Sequence, residues 1–331
     1  MRQYLNCDDR SKVNTVRVAP QVTVIALCFN HAKFLHECLD SIVEQTFQDF
    51  QLIITDDCSK DDSPDLIQSW IAQNRPDAIF IRHTKNSGLC KILNEALTQA
   101  SGDFISMIAT DDAWEPNKIK CQLELMRQQL DTVAVVYSDA SRMDEAGKRL
   151  EKDFIQSHTP ECTRPSGKIF SELAHRNFIP AMSTLIRRKC LINVGFYDER
   201  LSYEDYDMWL RLSAKYEFAF CPGTLARYRI VSTSLVRTIF VMPNAQHYYT
   251  LFLICQKWLP SGLLSPSQRI TWIQRMWEAA YGLYTVDDPR SKKCLWHSYR
   301  YSHKSRVLLL ALASSLGISR KFARRLICAD D

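Results

Sequence analysis

The chain has 331 residues, 46% hydrophobic and 24% charged, with a net charge of +5 at neutral pH. This is an ordinary globular composition, long enough for one large core or for a domain of about 200 to 250 residues with an appendage. No window approaches the roughly 20 apolar residues of a spanning helix, and no aromatic-rich basic motif points to nucleic acid.

VTVIALC, residues 22–28, is a nearly continuous apolar run of the kind buried on both faces of a parallel sheet, and it gives way to Asn30. Leu35, Cys38, Leu39, Ile42 and Val43 then recur at helical spacing. FQLIIT at 50–55 predicts a second strand ending at Asp56 and Asp57. Ser63 before Pro64 predicts an N-cap and first helical residue, with Leu66, Ile67, Trp70 and Ile71 on the inner face. AIFIR at 78–82 predicts a third strand. Ile92, Leu93, Ala96, Leu97 and Ala100 mark another amphipathic helix, with Gly102 as its stop. DFISMIA at 103–109 predicts a fourth strand that ends at Asp111 and Asp112, and Pro116 opens the next helix. VAVVYSD at 133–139 predicts a strand and MDEAGKR at 143–149 a hairpin turn. A helix from about Glu204 to Lys215 and two short strands, 217–220 and 225–230, follow; beyond Thr238 the pattern is mostly helical.

Strands alternating with helices at this spacing predict βαβ units and a mostly parallel sheet, whose ligands sit beyond the carboxyl ends of the strands. Both acidic pairs fall at such ends. With nine glycines and neither G-x-G-x-x-G nor G-x-x-x-x-G-K-[ST], the chain has no glycine cradle for phosphates. A diphosphate would instead need a cation, and paired carboxylates suit Mg²⁺ or Mn²⁺. Either pair alone would serve as a turn or helix cap, so the case rests on their combination.

Three blocks, VTVIALCFNHAKFLHECLDSIVEQTFQDFQLIITDDCSKDDS, NSGLCKILNEALTQASGDFISMIATDDAWEPNKIKCQLELM and GFYDERLSYEDYDMWLRL, resemble in that order the signatures of the family 2 inverting glycosyltransferases. The resemblance covers roughly residues 20–235 and implies a GT-A fold, an α/β architecture with a Rossmann-like, mostly parallel sheet flanked by helices. It implies transfer of a sugar from a nucleotide diphosphate sugar, UDP- or dTDP-linked, to an acceptor hydroxyl with inversion. By position, Asp57 resembles the acid on the donor base, Phe29 a residue lining it, and Lys91 a cation near donor or phosphate. Thr110, Asp111 and Asp112 occupy the D-x-D position, with Asp112 as metal ligand for Mn²⁺ or Mg²⁺ and Asp111 on the ribose or beside the metal. Asp205, next to Glu204, resembles the catalytic base. The family often carries a His two residues after the Arg of Tyr228-Arg229-Ile230, where this chain has Val231. A catalytically inactive sugar-nucleotide-binding scaffold in a polysaccharide complex is the alternative reading. Ala181 and Met182 lie in a stretch that faces the sugar in the family. Trp114 and Trp209 are expected as packing residues, and His31, His36 and His83 as surface or capping residues.

The division expected is an N-terminal extension at 1–20, a GT-A domain at 21–238 and a helical C-terminal region at 239–331. Arg290, Lys292, Lys293, Arg300, Lys304, Arg306, Arg320, Lys321, Arg324 and Arg325 make that last region basic and suggest an anionic partner. In SRKFARRLI, residues 319–327, the apolar and basic positions separate onto two helical faces, as suits an anionic membrane surface and a lipid-linked or surface-glycan acceptor. A terminal helix packed on the catalytic body is the other reading. The twelve cysteines are scattered singly, and the first twenty residues lack an apolar core and cleavage site, so the expected location is cytoplasmic, at most peripheral on the inner membrane face.

Overall fold

The computed structural model describes residues 19–231 and 244–318. Residues 1–18 of the extension expected at 1–20, and the SRKFARRLI stretch, lie outside the described residues. Strands β1 (Val22–Cys28), β2 (Phe50–Asp56), β3 (Ile79–Arg82) and β4 (Phe104–Ala109) alternate with helices α1 (Leu35–Val43), α2 (Ser63–Asn74) and α3 (Leu89–Gln99). Then come β5 (Ala113–Trp114), α4 (Lys118–Gln128), β6 (Val133–Met143), α5 (Phe154–His158), α6 (Phe170–His175), β7 (Thr184–Arg187), α7 (Arg188–Val194), α8 (Asp205–Ser213) and β8 (Glu217–Arg229). Four helices close the described chain: α9 (Ala245–Trp258), α10 (Pro266–Thr285), α11 (Ser291–Ser302) and α12 (Ser305–Ser315).

The eight strands form one mixed sheet in the order β3-β2-β1-β4-β7-β6-β8-β5. β1 to β4 pair with one another in parallel, and β7 runs antiparallel to both β4 and β6. β1 is buried along its whole length, as its unbroken apolar run requires. Its alternate side chains enter two cores. Val22, Val24, Ala26 and Cys28 pack with Leu35, Leu39, Ile67, Trp70 and Leu123 from α1, α2 and α4. Ile25 and Leu27 join the opposite core, which takes in α3, α7 and α8 and continues into Phe252, Leu283, Leu295 and Leu310 of the four closing helices. The C-terminal helices thus share the core of the sheet's second face. Asp207 of α8 reinforces the contact, accepting from Arg211 at 2.8 Å and from Lys257 of α9 at 2.6 Å.

Three local expectations are corrected. Ser63 is the first residue of α2, with Asp62 before it as cap, and its hydroxyl accepts from the His31 backbone N–H at 3.1 Å. Ser63 therefore ties the loop after β1 to the loop after β2. Gly102 does not end α3 in a left-handed turn; α3 stops at Gln99 and passes through extended Ala100. The glycine is needed for close approach, because a Cβ there would lie 2.6 Å from the backbone of Val22 and Thr23. The two short strands expected at 217–220 and 225–230 are one strand, β8. Its pairing with β6 shifts register between Tyr137↔Phe220 and Asp139↔Thr224, which absorbs Pro222 and Gly223 as a bulge.

Lys118 is fully buried, donating to the Thr184 carbonyl at 2.9 Å and to Ser106 Oγ over the face of Trp114. Burial holds its amine well below the usual lysine range. These bonds pin α4 across the β4–β7 seam, where only two residue pairs are in register.

Substituting Gly102→Ala should cost about 3 kcal/mol of stability, since backbone on both sides must move. Urea unfolding measures this, and a change confined to a few tenths of a kcal/mol would contradict the close-approach account.

Candidate active site

The carboxyl ends of β1, β2 and β4 converge through hydrogen bonds made by polar residues in the turns that follow them. Asn30 has a left-handed backbone, φ 58°, and is clamped on both sides: its N–H donates to Ser59 Oγ and its Oδ1 accepts from the Lys60 N–H at 2.7 Å. Phe29, just before it, is 43% exposed at the rim. Asp57 is only 3% exposed, and its carboxylate accepts from the backbone N–H groups of Ser87 at 2.7 Å and Gly88 at 2.9 Å. It therefore orders the turn that launches α3, the helix carrying Lys91 in its first turn. Among the described residues the Lys91 ammonium has no hydrogen-bond or ion-pair partner.

At the tip of β4, Thr110 donates its hydroxyl proton to the Leu27 carbonyl at 3.2 Å. Its oxygen must then accept from His31 Nδ1–H at 3.0 Å, which leaves His31 Nε2 facing Asp111 Oδ2 at 3.7 Å. Asp112, 4% exposed, accepts at Oδ1 from the Arg229 N–H at 2.8 Å. Arg229 spends its guanidinium on the Asp111 carbonyl at 2.9 Å, on Glu37 and on the face of Phe34. Burial, then the adjacent Asp111 charge, pushes the Asp112 carboxyl well above the usual range, and the bond from Arg229 opposes this. Among the described residues no three His, Cys, Asp or Glu side chains converge as a metal cage. Val231, at the position considered for a third ligand, is a buried apolar residue. The pair fits a cation that takes one or two protein oxygens and completes its shell from phosphates and water, rather than one enclosed by protein alone.

A second pair of acids opens α8. Asp205 Oδ2 accepts from Asn177 Nδ2 at 2.8 Å, and Oδ1 from the Tyr206 N–H at 2.6 Å. Burial raises the Asp205 carboxyl, and these bonds oppose the rise. Burial and the Asp205 charge push Glu204 up to about 8. The segment between the two pairs links them. Asn177 holds Asp205, while the Met182 carbonyl accepts from Trp114 Nε1 at 2.8 Å, two residues beyond Asp112. Trp114 and Trp209 are both buried packing residues, as expected.

His31, Asn177, Glu37 and Arg229 thus take part in a site where the sequence singled out none of them for a role. His31 was expected on the surface or as a cap. The bond that recruits it spans 79 residues, and no local pattern signals such a pair.

The mixed sheet with acidic pairs beyond its strand tips, flanked by helices on both faces, is an α/β fold whose ligand crevice lies at those tips. The sequence model described as Glycosyl transferase family 2 matches residues 23–195, more than half the chain, and the protein belongs to that family. Of its relatives, the putative teichuronic acid biosynthesis glycosyltransferase TuaG of Bacillus subtilis is 28% identical over 218 residues, covering 65% of this chain and 81% of that protein. The chain spans 31% of the length of a Rickettsia felis glycosyltransferase that it matches at 28% identity over 58% of itself. S. aureus TarS, solved with UDP-GlcNAc, shares the fold with TM-score 0.59 and 17% identity over 90% of this chain and 88% of that one. A Pyrobaculum calidifontis mannosyltransferase, solved with GDP-Man and Mn²⁺, gives TM-score 0.58 and 16% identity over 94% and 84%.

Glu204 also makes a stability prediction. Its folded carboxyl sits at about 8 against an ordinary 4.5, so the native state binds the proton more tightly than the unfolded chain does. The contribution is complete below 4.5 and is lost as pH rises toward 8. Glu204→Gln should flatten the fall in urea midpoint across that window, and an unchanged slope would contradict the assignment.

Proposed function

We propose that the chain is an inverting glycosyltransferase that passes a sugar from a UDP- or dTDP-linked donor to the hydroxyl of a lipid-linked or surface glycan. The observation that carries this reading is the pair of acidic clusters joined through residues 177–184. One is suited to a diphosphate and the other to a proton. Phe29, Asp57 and Lys91 surround the end of the sheet where the nucleotide would lie, with Asp57 acting through the turn it orders and through its remaining acceptor capacity. Relatives support the substrate class: TarS was solved with UDP-GlcNAc, and TuaG is named for teichuronic acid synthesis.

Asp205 accepts the proton of the attacking hydroxyl. The acceptor oxygen forms a bond to the anomeric carbon as the bond from that carbon to the diphosphate oxygen breaks, and the electron pair leaves with the nucleoside diphosphate. A single displacement inverts the centre. Asn177 and the Tyr206 N–H aim the carboxylate and favour its ionised form against the effect of burial, and a positioned base of this kind is worth about 10² to 10⁴ in rate. Asp112, with Asp111 beside it, would hold a divalent cation, Mn²⁺ or Mg²⁺. That cation would supply neutralising charge to the diphosphate as negative charge grows there. The basic sequence at 319–327 would keep the enzyme near anionic lipid and a lipid-linked acceptor.

Asp205→Asn should lower transfer at least about 100-fold while donor binding by calorimetry persists. A fully active purified variant would remove Asp205 as base, and donor binding without turnover in the native protein would favour the scaffold reading. Asn177→Ala should reduce transfer roughly tenfold near neutral pH and move the acidic limb of the pH profile upward, because the lost bond favoured the ionised carboxylate. A uniform fall at every pH would make Asn177 merely structural. Asp112→Ala should abolish the Mn²⁺-dependent thermal shift given by a nucleoside diphosphate. In the native protein that shift should weaken as pH falls, since Asp112 must lose its raised proton to bind a cation.

A further inference from the structure

Helix α12 buries Val307, Leu310, Ala311 and Ala313 in the shared core, yet a second apolar stripe runs along its outer face. Leu309, Leu312 and Leu316 recur there at helical spacing, with Leu316 74% exposed. Arg306 links the helix to α10. Arg306, one turn before Leu309, sits over the ring of Trp277 at 5.8 Å. Trp277 in turn lines a groove of about 460 Å³ with Ile270, Ile273, Gln274, Tyr301 and Lys304. Ile270 is 71% exposed. Aligned leucines on an outer helix, and a groove lined by Ile270, Ile273 and Tyr301 across Arg306 from them, are exposed apolar patches grouped on the closing helices rather than scattered residues.

Charge decides what covers it. Lys304 and Arg306 border the apolar surface, and Arg269 lies over Tyr301 at 5.7 Å. The nearby acid, Glu278, accepts a hydrogen bond from Gln274 at 3.0 Å. The chain then runs directly from this face into Arg320, Lys321, Arg324 and Arg325. If that basic stretch folded back over the stripe, it would bring its cations against Lys304 and Arg306. A symmetric second copy would bring two cationic rims together. An anionic bilayer satisfies both halves of the surface, with leucines and aromatic rings below the headgroups and Lys and Arg among the phosphates.

We infer that the outer face of α12, with the Ile270–Trp277 groove of α10, is a membrane-docking surface for anionic phospholipid. It lies flat on the interface, with Lys304 and Arg306 among the phosphates. This deepens the proposal of a lipid-linked acceptor, because docking through the helices that share the core of the sheet's second face would fix how the catalytic body stands on the bilayer.

The test is flotation of the full chain with equimolar phosphatidylglycerol–phosphatidylcholine vesicles and with phosphatidylcholine alone. The native protein should float with the first and much less with the second. Leu309→Glu/Leu312→Glu/Leu316→Glu should weaken flotation at least about tenfold while the chain stays folded by circular dichroism and keeps donor hydrolysis in solution. A triple variant that floats like the native protein would overturn the inference and leave the basic tail as sole anchor. A native dimer that the triple variant dissociates would assign the surface to a second copy, and a native protein that does not float would likewise overturn it. Loss of donor hydrolysis in the native protein with flotation intact would instead sink the enzymatic reading and leave the docking surface standing.

Discussion

Two neighbouring carboxylates at the end of a buried strand repel each other, and much of the surrounding structure answers that repulsion. Arg229 does most of it. Its backbone N–H bonds Asp112, its guanidinium bonds the Asp111 carbonyl, and its remaining donors reach Glu37 and the 144–145 turn. Because Arg229 ends β8, the pairing of β8 with β6 and with β5 sets where the acids sit. The bulge around Pro222 and Gly223 lets one strand meet both requirements. It stays in the sheet at its start and delivers an arginine to the tip of β4 at its end.

The second acidic pair follows the same logic with a different outcome. Glu204 and Asp205 begin α8, where the exposed N–H groups and positive end of the helix favour negative charge. Asp205 takes the available donors, Asn177 and the Tyr206 N–H, while Glu204 is left with burial and a neighbouring charge. Burial raises both carboxyls, and only at Asp205 do side-chain and neighbouring backbone donors oppose the rise. At the other site the bond and charge of Arg229 oppose the rise that burial and the Asp111 charge impose on Asp112. The tryptophan bond from Trp114 to the Met182 carbonyl makes the two halves one mechanical unit.

The C-terminal helices extend this economy of surfaces. Their inner faces complete the hydrophobic layer over α3, α7 and α8, and Lys257 neutralises the buried Asp207. What remains outside is a leucine stripe and a cationic border that the catalytic body does not need. A helix that served only to cover the core would have polar residues there.

The strands and helices of the first hundred or so residues were legible because their causes are local. An unbroken apolar run requires burial on both faces, and apolar residues three and four apart require one inner face. β1, α1, β2, α3 and β4 accordingly fall within a residue or two of expectation. The acidic pairs could also be read, since a carboxylate doublet directly after an apolar run is a pattern in sequence. Tertiary structure decided the rest. Whether Gly102 ends a helix or admits a neighbouring strand depends on what passes 2.6 Å away. His31 becomes a partner of Thr110, and Asn177 of Asp205, across sequence separations of 79 and 28, only once the chain between them has folded into place. The sequence alone determined which faces must be buried and where charge would gather, because hydrophobic periodicity and charge spacing act over a few residues. Which donor meets which carboxylate was left to the fold, because a hydrogen bond reaches about 3 Å and its partner may come from anywhere along the chain.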